Sequence, residues 1–164
     1  MIPGWLISIA TFPGIIVHEF GHKFFCDQFE VKVLKTCYFR LGNPAGYVLH
    51  EETKNFKQAF FIDIGPFIVN NLFAIIAFVF AVNSSEPNLF FIWLGGSFAI
   101  NSFPSTGDAK ALWANTKKYS KKNLLLIAIG YPFVIIIYLA NILSIIWFDL
   151  IWAFILYGFV ASIF

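Results

Sequence analysis

Residues 59–82 read AFFIDIGPFIVNNLFAIIAFVFAV, an apolar run in which Asp63 is the only ionisable side chain. A straight helix needs roughly 20 such residues to cross the hydrocarbon of a bilayer, so this stretch is long enough to span. The composition of the whole chain agrees: 59% of its 164 residues are hydrophobic, 20% aromatic and 12% charged, against about 25% charged in soluble domains. The lipid bilayer is therefore the expected solvent and partner. An unusually greasy soluble subunit is the competing reading, and it would have almost no polar surface to present to water. The net charge is only +2, and no basic run is interleaved with stacking aromatics, so nucleic acid is not an expected partner. Cys26 and Cys37 are too few for a disulfide framework and are read as reduced thiols.

Upstream of this run, residues 2–25 form a first apolar stretch. It is interrupted by Pro3 and Pro13 and turns polar only at His18, Glu19, His22 and Lys23. No positive region precedes it, so a cleaved secretory signal is not expected. From Val31 to Leu49 the residues become β-branched and aromatic around Gly42, Asn43, Pro44 and Gly46, which predicts a hairpin at the membrane edge. Downstream, Asn83 to Asn88 is a turn containing Glu86 and Pro87. Residues 89–103 are apolar but only fifteen long, which predicts a helix that stops inside the membrane at Pro104. Residues 110–122 are polar and basic, and 124–164 is apolar sequence relieved by Pro132, Asn141 and Asp149. Two closely spaced spans would use up this tail, and one span with an interfacial helix fits as well. The expected fold is an all-α polytopic membrane protein. It has four or five transmembrane helices, a small β-hairpin after the first, and a single domain over residues 1–164 with its core at about 2–122.

Charge placement sets an expected topology, because Lys and Arg concentrate in cytoplasmic loops. Lys23, Lys32, Lys35, Arg40, Lys54 and Lys57 lie between the first two spans, and Lys110, Lys117, Lys118, Lys121 and Lys122 lie after the third. The opposite side has Glu86 as its only charged side chain, together with Trp5 and Trp93 at belt positions. The N-terminus is thus expected outside and the polar end of the first span inside.

At that polar end stands His18-Glu19-Phe20-Gly21-His22, an HExxH motif. Imidazoles four residues apart project from one helix face and suit two ligands of one tetrahedral zinc. Glu19 beside them is placed to take a proton from water whose pKa zinc lowers toward about 7. The bland reading is a pair of helix-end histidines snorkelling to the interface, but ionisable groups at membrane depth are costly and usually functional. A hydrolytic zinc normally has three protein ligands. None of the later glutamates, Glu51, Glu52 and Glu86, lies in an apolar helix, which leaves Asp108 beyond the Pro104 break as the better candidate. Asp108 reads equally well as a helix cap before Ala109-Lys110-Ala111-Leu112.

HEFGH on an apolar helix, a later Gly65-Pro66 followed by Asn70, and Asn101-x-x-Pro104-x-x-x-Asp108 together resemble the site-2 protease family of intramembrane zinc metalloproteases. The likeness covers roughly residues 10–112. It implies zinc held by His18, His22 and Asp108, with Glu19 as general acid/base. Asn101 and Asn70 would orient substrate or stabilise the tetrahedral intermediate. It also implies that the hairpin holds an unwound transmembrane protein substrate by strand addition. Two departures stand out: Gly107-Asp108-Ala109 replaces the family's usual Leu-Asp-Gly, and the asparagine after Gly65-Pro66 comes one residue late. These 164 residues leave no room for a PDZ-like domain, so substrate choice is expected to rest on the membrane core or on partners.

The expected function is therefore zinc-dependent proteolysis within or near transmembrane segments. The rivals are a non-catalytic membrane metal-binding protein and a membrane zinc hydrolase acting on a non-peptide amide or ester. His50, Glu51 and Glu52 are expected to be simply solvated, and the lysines around Tyr119 to sit among anionic headgroups. Asp63 is expected either to face a water-filled site or to snorkel. The sequence does not fix the oligomeric state.

Overall fold

The computed structural model describes residues 4–84, 86, 88–120 and 124–164. Pro3, Pro87, Lys121 and Lys122 lie outside the described residues. The chain is mostly helical, in the order α1 (Gly4–Ala10), α2 (Phe12–Gln28), β1 (Val33–Cys37), β2 (Tyr47–His50), α3 (Phe56–Val82), α4 (Leu89–Ile100), α5 (Thr106–Ser120), α6 (Leu124–Leu143) and α7 (Phe148–Ile163). Among the described residues, α3 and the stretch Ala128–Ile146 are long and apolar enough to cross a membrane, while α4 and α7 are apolar but shorter. Cys26 and Cys37 are free thiols.

The first apolar stretch is two helices rather than the single one its hydropathy predicts. Pro13 sits in the first turn of α2, where its missing N–H costs nothing, but a continuous helix would need that N–H. The polar groups exposed at the break are taken up by α4. Ser97 Oγ donates to Thr11 O at 3.0 Å and accepts from Gly14 N at 2.9 Å. The helices touch here, and a Cβ on Gly14 would lie 2.0 Å from Ser97 O.

At its other end α2 closes with a Schellman turn. Val31 N donates to Cys26 O at 2.8 Å and Glu30 N to Asp27 O at 3.3 Å, with Glu30 in the left-handed region at φ 55°. Val31 then packs on Cys26 and Ile62, which sends the chain into the hairpin. The strands pair antiparallel from Val33↔His50 to Cys37↔Tyr47, with a bulge between Val33 and Lys35. This is the two-stranded unit expected between Val31 and Leu49. Its connecting loop contains a cis Asn43–Pro44 bond.

α3 starts at Asn55, whose side chain accepts from Gln58 N at 3.0 Å, and it is the central post of the fold. Its second half packs through Ala74, Ala77 and Phe78 against Phe98 and Ala99 of α4 and Ala153, Leu156 and Val160 of α7. Its first half meets α2 where glycine faces glycine. A Cβ on Gly21 would lie 2.9 Å from Pro66 Cα, and one on Gly65 would lie 2.5 Å from a Phe25 ring carbon and 2.9 Å from Gly21 O. Backbones approach this closely only where a side chain is missing.

α4 ends at Ile100, three residues before the end of its apolar run, because the residues ahead of Pro104 cannot continue the hydrogen-bond ladder. The basic stretch that follows is helical through Ser120. α5 buries Ala109, Leu112 and Thr116 along one face, and Ala109 and Leu112 pack against Phe56 of α3 and Val134 and Ile137 of α6. The apolar tail forms two helices joined by a 3₁₀ turn at Ser144–Ile146 and by Trp147 in the left-handed conformation, φ 62°.

The Gly21/Gly65 crossing has no room for a methyl group. Gly65→Ala is expected to lower stability by roughly 1–3 kcal/mol, the usual cost of overpacking, seen as a lower thermal midpoint in detergent. Gly96→Ala, where a Cβ would meet nothing within 4 Å, should leave it unchanged.

Candidate metal centre

His18 and His22 stand one turn apart on α2 and face the start of α5. His22 Nε2 lies 3.4 Å from Asp108 Oδ1, and His18 Nε2 lies 4.0 Å from Asp108 Oδ2. One ligating atom from each of the three falls within 4.8 Å of the others. Ligands of a tetrahedral zinc at 2.0–2.2 Å are separated from one another by about 3.3 Å. The cluster therefore has the scale of a metal site and needs only a small contraction.

The outer ring nitrogens settle which tautomers are present. His22 Nδ1 is 2.8 Å from Ile62 O, and His18 Nδ1 is 2.8 Å from Asn101 O. A carbonyl can only accept, so each Nδ1 carries the hydrogen and a neutral ring has its Nε2 lone pair free for a cation. These carbonyls are available for a local reason. Ile62 O would normally accept from residue 66 of its own helix, but residue 66 is proline and has no N–H. Asn101 O lies just past the end of α4, where Pro104 has stopped the ladder. Each proline break thus leaves a carbonyl that aims one imidazole, the outer-shell arrangement typical of histidine–metal sites.

Asp108 faces both imidazoles and also caps α5. Ser105 Oγ accepts from Asp108 N at 3.3 Å and from Gly107 N at 3.1 Å, while Ser105 N donates to Asp108 Oδ2 at 2.7 Å. This is a reciprocal capping box with aspartate in the third helical position. The cap orients the carboxylate, and Oδ1 is turned to His22. Burial alone would push the Asp108 carboxyl up. The His22 imidazole, then His18 and the Ser105 contact outweigh it and hold the group well below the usual carboxylate range. The ligand is thus kept in its anionic, donor form. The Pro104–Ser105 turn is itself held from α6, where Asn141 Nδ2 donates to Pro104 O at 3.0 Å.

Glu19 is buried beside the pair and lines a cavity of about 320 Å³ together with His18, His22 and Asp108. The loop between the strands closes over it. A Cβ on Gly46 would lie 2.6 Å from Glu19 Cγ and 2.7 Å from Glu19 Oε1, so a larger residue there would have to displace the Glu19 side chain. The two asparagines make hydrogen bonds within the protein. Asn70 is fully buried and its Nδ2 donates to Asn101 O at 3.1 Å. Asn101 Nδ2 donates to Ser97 O at 2.9 Å and Thr11 O at 3.3 Å. Both amides brace the carbonyl that aims His18.

Ser105, Pro66, Gly46 and Asn141 carry structural duties at this site that residue type alone did not reveal. Ser105-x-x-Asp108 is a capping-box pattern, and it was the one available signal. In comparisons with protein families, curated proteins and solved structures, nothing matches this chain.

Pro66→Ala would restore an N–H opposite Ile62 O and return that carbonyl to the helix. Zinc affinity is expected to fall about 10- to 100-fold, as is usual on loss of an outer-shell partner, with the fold retained. Competition against a chromophoric chelator measures it, and an unchanged affinity would show that the carbonyl does not position His22.

Proposed function

We propose that this chain is an intramembrane zinc endopeptidase of the site-2 protease type, cleaving transmembrane protein substrates near the cytoplasmic face. The observation that carries the reading is the donor set: two imidazoles, each with its Nδ1 on a backbone carbonyl and its Nε2 turned to the cluster, and one carboxylate. Three protein ligands beside a cavity that also contains an unliganded glutamate match the pattern of hydrolytic rather than structural zinc, which usually takes four. In this reading the chain crosses the bilayer four or five times, with the N-terminus outside.

Zinc, when bound, supplies Lewis acidity that polarises a carbonyl and makes water acidic enough to be deprotonated near neutral pH. His18, His22 and Asp108 hold it. Glu19 takes the proton from the attacking water and returns it to the leaving amine. Gly46 allows the loop to cover Glu19 and limit stray water. Asn101 and Asn70 are positioning residues, acting through the carbonyl that orients His18. A substrate helix has to unwind first, because its scissile carbonyl is otherwise hydrogen-bonded within the helix. The hairpin lies beside the cavity, with Tyr47, Val48 and His50 in the wall, and offers strand edges to such a segment.

Purified protein in detergent, incubated with a panel of single-span substrates, tests this. Glu19→Gln is expected to bind zinc like wild type and to lose cleavage by about 10²–10⁴-fold. Equal behaviour of the two proteins across the panel would favour a non-catalytic metal site. Gly46→Ala, which displaces the Glu19 carboxyl while sparing the ligands, is expected to lower kcat with zinc content unchanged.

A further inference from the structure

One buried carboxylate is left over by this chemistry. Asp63 on α3 is only 5% exposed, and its Oδ2 has no hydrogen-bond partner among the described residues. It is not part of the metal cluster, which comprises His18, His22 and Asp108. A buried, unpartnered carboxylate oxygen is costly and persists where something else satisfies it.

Asp63 lines two neighbouring cavities. One, of about 320 Å³, is the cavity of the metal centre, and the other, of about 380 Å³, is walled by Glu51, Glu52, Asn115 and Lys118. They share Asp63, His50 and Ala111. The other charged groups of this region are matched: Lys118 to Glu52 at 3.5 Å, and Glu51 to Lys32 at 3.5 Å. His50 Nδ1 lies 2.7 Å from Glu51 O. Asp63 is the group in these walls with spare acceptor capacity, and it stands where the two cavities meet.

We infer that Asp63 is the floor of a substrate subsite that takes a cationic side chain, lysine or arginine, flanking the scissile bond. Each supplies the positive charge and the N–H donors that the free oxygen requires, on a stem slim enough to reach past Ala111. An anionic side chain would meet Glu51, Glu52 and Asp63 together, and an apolar one would leave the carboxylate unsatisfied. The geometry also suits substrates whose spans end on the cytoplasmic side, where lysine and arginine concentrate. This specificity rests on the protease reading for its substrate, but binding alone can be measured without turnover.

The probe is a fluorescent single-span peptide of leucine and alanine carrying one lysine, stepped through successive positions past the apolar run. The same peptides with norleucine, equal in length but uncharged, serve for comparison. Binding is followed by anisotropy to the zinc-loaded Glu19→Gln protein in detergent. At one position lysine is expected to bind about tenfold tighter or more, the scale of a buried hydrogen bond to a charged group. Adding Asp63→Asn should abolish the difference, whereas adding Glu52→Gln should not. Ala111→Leu, an exposed position on the shared wall, should reduce lysine binding selectively, and it covers the case in which Asp63→Asn does not fold. Equal binding of lysine and norleucine at every position, or a lysine preference that survives Asp63→Asn, overturns the subsite. A preference that depends on Asp63, with no cleavage by wild type, would instead remove the protease reading and leave the subsite standing.

Discussion

Two backbone carbonyls, Ile62 O and Asn101 O, are the constraint on which the site depends. Each receives an Nδ1 hydrogen at 2.8 Å, and each is free because a proline has interrupted a helix. In water a stray carbonyl costs little, but a buried one must find a donor within the protein. The imidazoles satisfy that demand and in return are fixed in tautomer and direction. A defect in the secondary structure of α3 and α4 thus becomes the orienting frame of His18 and His22.

The frame works only if α2, α3 and α4 are held close, and small residues provide the closeness. Gly14 meets Ser97, Gly21 meets Gly65 and Pro66, and Gly95 meets the Phe78 ring, each at a separation that a methyl group would exceed. Backbones come this close only where side chains are missing, and the packing they then make is what holds the three helices together. Asn70 spans α3 to α4, and Ser97 spans α4 to α2, adding hydrogen bonds exactly where the glycines permit them.

Much of this was legible in the residue order and some was not. His18, His22 and Asp108 could be picked out because ligand chemistry restricts residue type and helix geometry restricts spacing. The hairpin was legible from its β-branched residues and turn signals. The break at Thr11 was not, since hydropathy reports the apolar length of 2–25 and ignores the N–H that Pro13 lacks. The helical state of 106–120 was half legible: Asp108 read as a cap before Ala109, but the lysines read as a solvated loop, and only tertiary contact shows Ala109, Leu112 and Thr116 to be one buried face. The two readings of Asp108 looked like competitors because sequence reasoning assigns one task per side chain. The roles of Asn70 and Asn101 depend on which carbonyls are left over, and no local pattern records that.

The capping box at Ser105 has a consequence for how an ion is acquired. In small zinc domains the ligands are scattered until the cation gathers them, and uptake and folding are one event. Here the carboxylate is set by initiation of α5 and the rings by leftover carbonyls, so all three donors are aimed beforehand. A cation taken up by these three groups would meet a receptor whose shape the helices have already set.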